Sequence, residues 1–187
     1  MYRAVTVKAL RHALDLSDPL VVRELADSTT VELRHEGGNP FRVLLDQEDV
    51  TEEIRDPKIS QNVSQVAMIP SIRKMLVKTQ QAMAKEGGVV MEGRDIGTVV
   101  LPDAQIKVFL TATADERAER RRTELATKGF RIAQEEMRRE IIERDAKDSG
   151  REIDPLIQAA DAYVIDCSAI NAQEVAELII GRVEAES

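Results

Sequence analysis

The sequence predicts an α/β fold: a parallel sheet flanked by helices, a small antiparallel β unit inserted between helices, and a pair of charged helices forming a lid. Three observations carry this. From residue 88 onward, short apolar runs alternate with helical patterns, the order that builds a parallel sheet with helices packed on it. Between residues 29 and 51, period-two alternation is interrupted by Gly37-Gly38-Asn39-Pro40, which is a hairpin signal. A length of 187 residues, 43% hydrophobic and 32% charged, suits one globular domain with a substantial core.

Residues 2–16 place Val7, Leu10 and Leu14 on one helical stripe. Asp18-Pro19 supplies an N-cap and a first-turn proline for a second helix through Ala26. Thr29 to His35 alternates, turns, and resumes as Phe41 to Leu45; with Asp49-Val50-Thr51 this makes the antiparallel unit. Asp56-Pro57 opens a helix to about Ala67, and Pro70-Ser71 opens a longer one to Lys85. After Gly87-Gly88, Val89-Val90-Met91 reads as a short buried strand, and another strand is expected at Ile106 to Leu110. Thr113-Ala114-Asp115-Glu116 is a capping box, starting a helix to about Thr127 that Gly129 stops. A helix over roughly Ala133 to Asp148, a strand over Tyr163 to Asp166 and a last helix begun by Asn171-Ala172-Gln173-Glu174 complete the chain. The expected organisation is a core of residues 1–26 and 68–187, with a lid at about 114–154 and an insert at 27–67.

Composition narrows the function classes. No apolar run approaches the ~20 residues that span a bilayer, and no secretory-signal pattern opens the chain. A single cysteine, Cys167, cannot form an internal disulfide, which suits a reducing cytoplasm. With two histidines besides, a soft-metal site is not expected; any metal would be a hard ion held by carboxylates or substrate phosphates. A net charge of −8, with two tyrosines, three phenylalanines and no tryptophan, disfavours nucleic-acid binding. Arginines are nonetheless clustered, which suggests a small, highly charged anion as ligand.

Glu92-Gly93-Arg94-Asp95-Ile96-Gly97-Thr98 sets a fixed cation beside a carboxylate at the end of the expected strand, where open α/β sheets bind ligands. A buried Arg–Asp pair closing a turn is the plainer reading. Arg117, Arg120, Arg121 and Glu124 share one helical face, either solvated and balanced by Glu116, Glu119 and Glu124 or meeting an anion. Arg144, Asp148 and Arg151 fall at i, i+4 and i+7. They could bracket a phosphate and a sugar hydroxyl, or form a self-satisfied ion-pair ladder. Two arginine-bearing helices between strands have the look of a lid over a phosphoryl-transfer site.

Glu92 through Ala104 closely resembles bacterial cytidylate kinase. So do Arg144-Asp145-Ala146-Lys147-Asp148, Arg151, Pro155-Leu156 and Ala160-Asp161-Ala162, and earlier Asn62 to Ala67, Pro70 to Arg73 and Tyr2-Arg3-Ala4. The resemblance covers the whole chain and implies a nucleoside-monophosphate-kinase-like P-loop fold, with the hairpin region as its nucleotide-binding insert. It implies that Arg94, Arg73, Arg151 and Arg3 grip the acceptor phosphate, and that Asp95 and Arg73 read cytosine. Ser64, Arg144 and Asp148 would hold the sugar, and Arg120 would approach the donor phosphates. Arg94, Arg120 and Arg151 are then the catalytic candidates. The implied reaction is transfer from ATP, with Mg²⁺, to CMP or dCMP by a cytoplasmic monomer without nucleic-acid or membrane partners.

One departure stands out. Kinases of this type carry G-x-x-x-x-G-K-[ST], whose backbone donors, lysine and hydroxyl hold the donor phosphates and magnesium. None of the nine glycines here is followed by lysine. The reading is therefore of an N-terminally incomplete fold, lacking the first strand, phosphate loop and first helix, with an incomplete start favoured over real loss because no other motif is eroded. The 187 residues are expected to be inactive or nearly so, the alternative being a non-catalytic CMP-binding module.

Overall fold

The computed structural model describes residues 1–34 and 41–186, which divide into two compact units, Met1–Val89 and Val90–Ser187. In the N-terminal unit, α1 (Tyr2–Arg11) and α2 (Pro19–Asp27) precede β1 (Val31–Arg34), β2 (Arg42–Leu45) and β3 (Glu48–Asp49). A 3-10 turn (Glu53–Arg55), α3 (Pro57–Ala67) and α4 (Pro70–Ala84) follow. The expected helix starts are present. Asp18 accepts a hydrogen bond from the Leu20 amide at 2.8 Å, Asp56 accepts one from Lys58 at 2.7 Å, and each cap precedes a first-turn proline.

Strands β1 and β2 pair antiparallel, Val31 opposite Leu45 and Leu33 opposite Val43; the turn at Gly37 to Pro40 lies outside the described residues. A second hairpin, between β2 and β3, turns on Asp46 and Gln47, both left-handed at φ 49° and 73°. Positive φ at both central positions matches the right-handed strand twist. The Asp46 carboxylate steadies this turn by accepting from the Thr30 amide at 2.7 Å. Val43, Leu44 and Leu45 are all buried, because both faces of β2 are covered. They belong to a core region that also contains Val5, Val7, Leu25, Ile72 and Leu76.

The first helix is shorter than its apolar spacing predicts. It ends at Arg11, the chain reverses through Ala13 at φ 48°, and Leu14 returns to the core by donating its amide to the Ala9 carbonyl at 3.0 Å. Leu10, expected on the buried stripe, is largely exposed. The face that packs is instead Ala4, Val5, Thr6, Val7 and Ala9, whose small residues admit close neighbours.

In the C-terminal unit, a π-helical turn (Ile96–Val100) leads to β4 (Val108–Thr111), α5 (Ala114–Thr127), α6 (Gln134–Gly150), β5 (Tyr163–Asp166) and α7 (Ala172–Glu186). β4 and β5 pair in parallel, Val108 opposite Tyr163 through Thr111 opposite Asp166, as the alternating pattern requires. Val89-Val90-Met91 is not a strand: among the described residues it has no ladder partner, and Val90 is fully exposed. An apolar run cannot hold extended pairing without a neighbour for its amides and carbonyls.

Helix α5 is capped by Thr113, which accepts from the Glu116 amide at 3.2 Å. The reciprocal half of that box is replaced, since the Thr113 amide donates to Ser168 Oγ and Glu116 takes Arg120. The box at α7 is complete: Asn171 Oδ1 accepts from Gln173 and Glu174, and Glu174 accepts from the Asn171 amide at 2.7 Å. Gly129, left-handed at φ 84°, lets the chain leave α5. Ala118, Leu125 and Met137 then bury the contact between α5 and α6.

Candidate functional site

The two units present separate parts of the expected residue set. In the N-terminal unit, Arg73 sits in the first turns of α4 and is almost fully buried. Its Nη1 donates to the Ala67 carbonyl at 3.0 Å, and its guanidinium carbon lies 5.5 Å from the centre of the Tyr2 ring. Burying an arginine is unfavourable unless its fork is used. Ser64 is buried on α3, and Arg3 of α1 donates to the Ile54 carbonyl at 2.7 Å.

The C-terminal unit gathers most of the rest. Gly93 precedes the Arg94-Asp95 pair in close contact with Ile96; a Cβ there would stand 2.8 Å from the Ile96 side chain. The Asp95 carbonyl accepts the Val99 and Val100 amides at 2.9 and 3.3 Å, so the π-helical turn fixes the backbone beside the pair. Helix α6 does persist to Gly150, so Arg144, Asp148 and the following Arg151 share one face. After it, Arg151 Nε donates to the Asp154 carbonyl at 2.5 Å, and the Leu156 amide returns to the Asp148 carbonyl at 2.8 Å.

These residues converge around Asp148. Its Oδ2 lies 3.4 Å from Arg94 Nε and 3.8 Å from Arg144 Nε, and its Oδ1 lies 4.0 Å from Arg151 Nη1. Arg151 Nη2 is 3.9 Å from Asp95 Oδ2, and Arg94 Nη1 is 3.6 Å from Asp145 Oδ1. The side chains of Arg151, Asp95 and Asp148 are all about 95% buried, at 5%, 6% and 6% exposure. Every one of these distances exceeds the usual 2.7–3.2 Å of a nitrogen–oxygen hydrogen bond. Ion pairs elsewhere in the chain close fully: Arg11 meets Glu48 at 2.6 Å, and Lys107 meets Asp161 at 2.6 Å. Buried Asp148 Oδ2 and Arg144 Nε take no hydrogen bond among the described residues. Burial, and secondarily the neighbouring Arg94, pull the Arg144 pKa below its ordinary value. The cluster thus draws the guanidinium groups of Arg94, Arg144 and Arg151 around the buried Asp148 at 3.4–4.0 Å, an arrangement suited to a small anion bearing hydroxyls.

Arg120 lies apart from these contacts. Its Nη2 donates to the carbonyls of Cys167 and Ile170, and its Nε meets Glu116 at 3.0 Å. Arg121 and Arg122 pair with Glu124 and Glu119 on their own helix, which favours the solvated-face reading for that stretch. Sequence reading assigns Asp145 no role and places Arg117 only on an arginine-bearing helical face. Asp145 flanks Arg94 from the same helix as Asp148, three residues earlier, and Arg117 holds Asp145 at 2.6 Å. The three-residue spacing was legible; the pairing across helices was not.

No group of three or more metal-ligating side chains occurs among the described residues. Asp95, Asp145 and Asp148 are each drawn to arginine, so the residues present do not form a resident magnesium centre. No described helix is long and apolar enough to cross a membrane.

The family model described as cytidylate kinase matches residues 1–185. A cytidylate kinase of Pelotomaculum thermopropionicum is 54% identical over 185 residues, covering 99% of this chain and 82% of the relative. Cytidylate kinases of Desulforamulus reducens and Bacillus pumilus are 50% and 47% identical, covering 98% and 96% of this chain and 82% and 80% of their own lengths. With a match over nearly its whole length, a parallel α/β core and the arginine–aspartate cluster at the turn before β4, the chain belongs to the cytidylate kinase family.

Proposed function

We propose that the cluster around Asp148 is the acceptor site of a kinase acting on CMP or dCMP. The observation that carries this reading is the convergence of Arg94, Arg144 and Arg151 on the buried Asp148 at 3.4–4.0 Å. Arg94 and Arg151 would neutralise the acceptor phosphate, so that one of its oxygens can approach the γ-phosphorus of ATP. That oxygen forms the new P–O bond as the bond to the β-phosphate oxygen breaks, giving CDP or dCDP and ADP. Positioning and charge compensation suffice, with no covalent enzyme intermediate. Asp95 would accept from the cytosine amine, and Asp148 with Arg144 would hold the sugar hydroxyls. Arg3, Ser64 and Arg73 are assigned to the same substrate on the resemblance alone, as is Arg120 to the donor phosphates. Magnesium would enter with the triphosphate and offset its charge.

For these 187 residues we further propose binding without appreciable turnover, because no G-x-x-x-x-G-K-[ST] segment occurs in them to hold the donor phosphates. Calorimetric titration should show CMP binding and much weaker heats with AMP or with cytidine. A coupled assay for ADP should remain at background. Turnover near that of a relative from the same family contradicts the second proposal, and preference for AMP contradicts the first.

A further inference from the structure

The arginines of α5 differ in where their partners lie. Arg120 and Arg122 meet Glu116 and Glu119 of their own helix at 3.0 and 2.6 Å. Arg117 reaches across to α6 instead, its Nη2 lying 2.6 Å from Asp145 Oδ2. Its Nε donates to the Ala112 carbonyl at 3.2 Å, just beyond the end of β4, so this guanidinium is anchored at both edges. The other Asp145 oxygen, Oδ1, stands 3.6 Å from Arg94 Nη1, while Arg94 Nε faces Asp148 at 3.4 Å. Arg94 therefore lies between two carboxylates of α6, and one of them is fixed by an arginine tied to the sheet.

We infer that Asp145 is a positioning residue for Arg94. Arg117 fixes the carboxylate, the carboxylate sets the orientation of the Arg94 fork, and the packing of α6 on α5 is thereby coupled to the readiness of that fork. The inference rests on the reading of Arg94 as a phosphate ligand. A guanidinium recognises phosphate through two parallel N–H bonds in a fixed plane, so its orientation decides its affinity. A long side chain held in its bound rotamer loses less freedom when the ligand arrives. Asp145, Arg117 and Arg94 are each about one-third exposed, at 29%, 35% and 34%, where an ion pair orients more than it stabilises. Asp148 differs in being buried and shared with Arg144 and Arg151.

The test is the side-chain ¹⁵N–¹H spectrum of the arginines in the 187-residue chain, with the Arg94 Nε signal assigned through Arg94→Lys. Asp145→Asn should shift that signal and speed its exchange with water severalfold, because the charge 3.6 Å from Nη1 no longer holds the Arg94 fork in one orientation. Arg117→Met should shift it the same way by less, and Asp145→Glu should restore it. In CMP titrations, Asp145→Asn should weaken binding about tenfold in the native background and add no loss in an Arg94→Met background. An Arg94 signal unmoved by Asp145→Asn overturns the inference, as does a full additional loss of CMP affinity when Arg94 is already methionine. Should Asp145→Asn fail to fold, Arg117→Met decides by the same signal. A responsive Arg94 signal in a protein that does not bind CMP supports the positioning contact and removes the phosphate reading instead.

Discussion

The two units are held together by different means. The N-terminal unit has an extended apolar core in which Ala4, Val5, Val7, Val66, Ile72 and Leu76 are fully buried, joining α1, α3 and α4. In the C-terminal unit the buried apolar cluster is Ala118, Leu125 and Met137 between α5 and α6. No residue of α7 is buried, and Leu110, Val164 and Leu178 on β4, β5 and α7 are half exposed. Yet that second unit carries Arg94, Asp95, Arg144, Asp148 and Arg151. Burial there serves charge: the side chains nearest to full burial in the site are Arg151, Asp95 and Asp148. Stability should therefore depend most on the first unit, and ligand affinity on the second.

The largest test of this separation is Leu76→Ala. Removing a fully buried leucine should cost about 2–5 kcal/mol, read as a shifted urea midpoint. CMP affinity should be unchanged in the protein that remains folded. Asp148→Asn should do the reverse, weakening CMP binding roughly thirtyfold, the worth of a hydrogen bond to a charged group, with a smaller change in the urea midpoint. A large stability loss with unaltered affinity would mean that Asp148 is structural. A third probe is acid. Lys107 donates to Asp161 and holds its carboxyl below the ordinary value of 3.8. A carboxylate depressed in the folded state adds stability above its unfolded pKa, and that stability is lost as pH falls through the folded value. Asp161→Asn should therefore lower the melting temperature near neutral pH, and the difference from the native chain should vanish on strong acidification. The smallest effect is expected at Leu178→Ala, within about 0.5 kcal/mol, because the side chain is already half exposed. A cost comparable to that of Leu76→Ala would mean that α7 packs far better than its exposure indicates.

Local chemistry made much of this legible in the sequence. Asp18-Pro19, Asp56-Pro57 and Asn171 to Glu174 mark helix starts because their side chains satisfy amides one turn away. The i, i+4, i+7 spacing of Arg144, Asp148 and Arg151 placed them together because α6 runs through Gly150. What failed depended on distant neighbours. Val89 to Met91 has strand composition but no described strand to pair with, and Leu10 has helical spacing but lies on the exposed side of a helix packed through alanines. The Arg117–Asp145 contact joins residues 28 apart on different helices, which no single-helix periodicity can show. Nor does sequence tell a closed ion pair from an open one; only the distances separate Arg11 with Glu48 from Arg94 with Asp148.

The central claim is that the arginines converging on Asp148 take the phosphate of a cytidine nucleotide. It is tested most directly by the ³¹P resonance of CMP titrated with the 187-residue chain. The account predicts that the signal shifts and broadens saturably, and that Arg151→Met and Arg94→Met each diminish the shift while the protein stays folded. A ³¹P signal that does not move on adding folded native protein, or that moves equally with both variants, contradicts it.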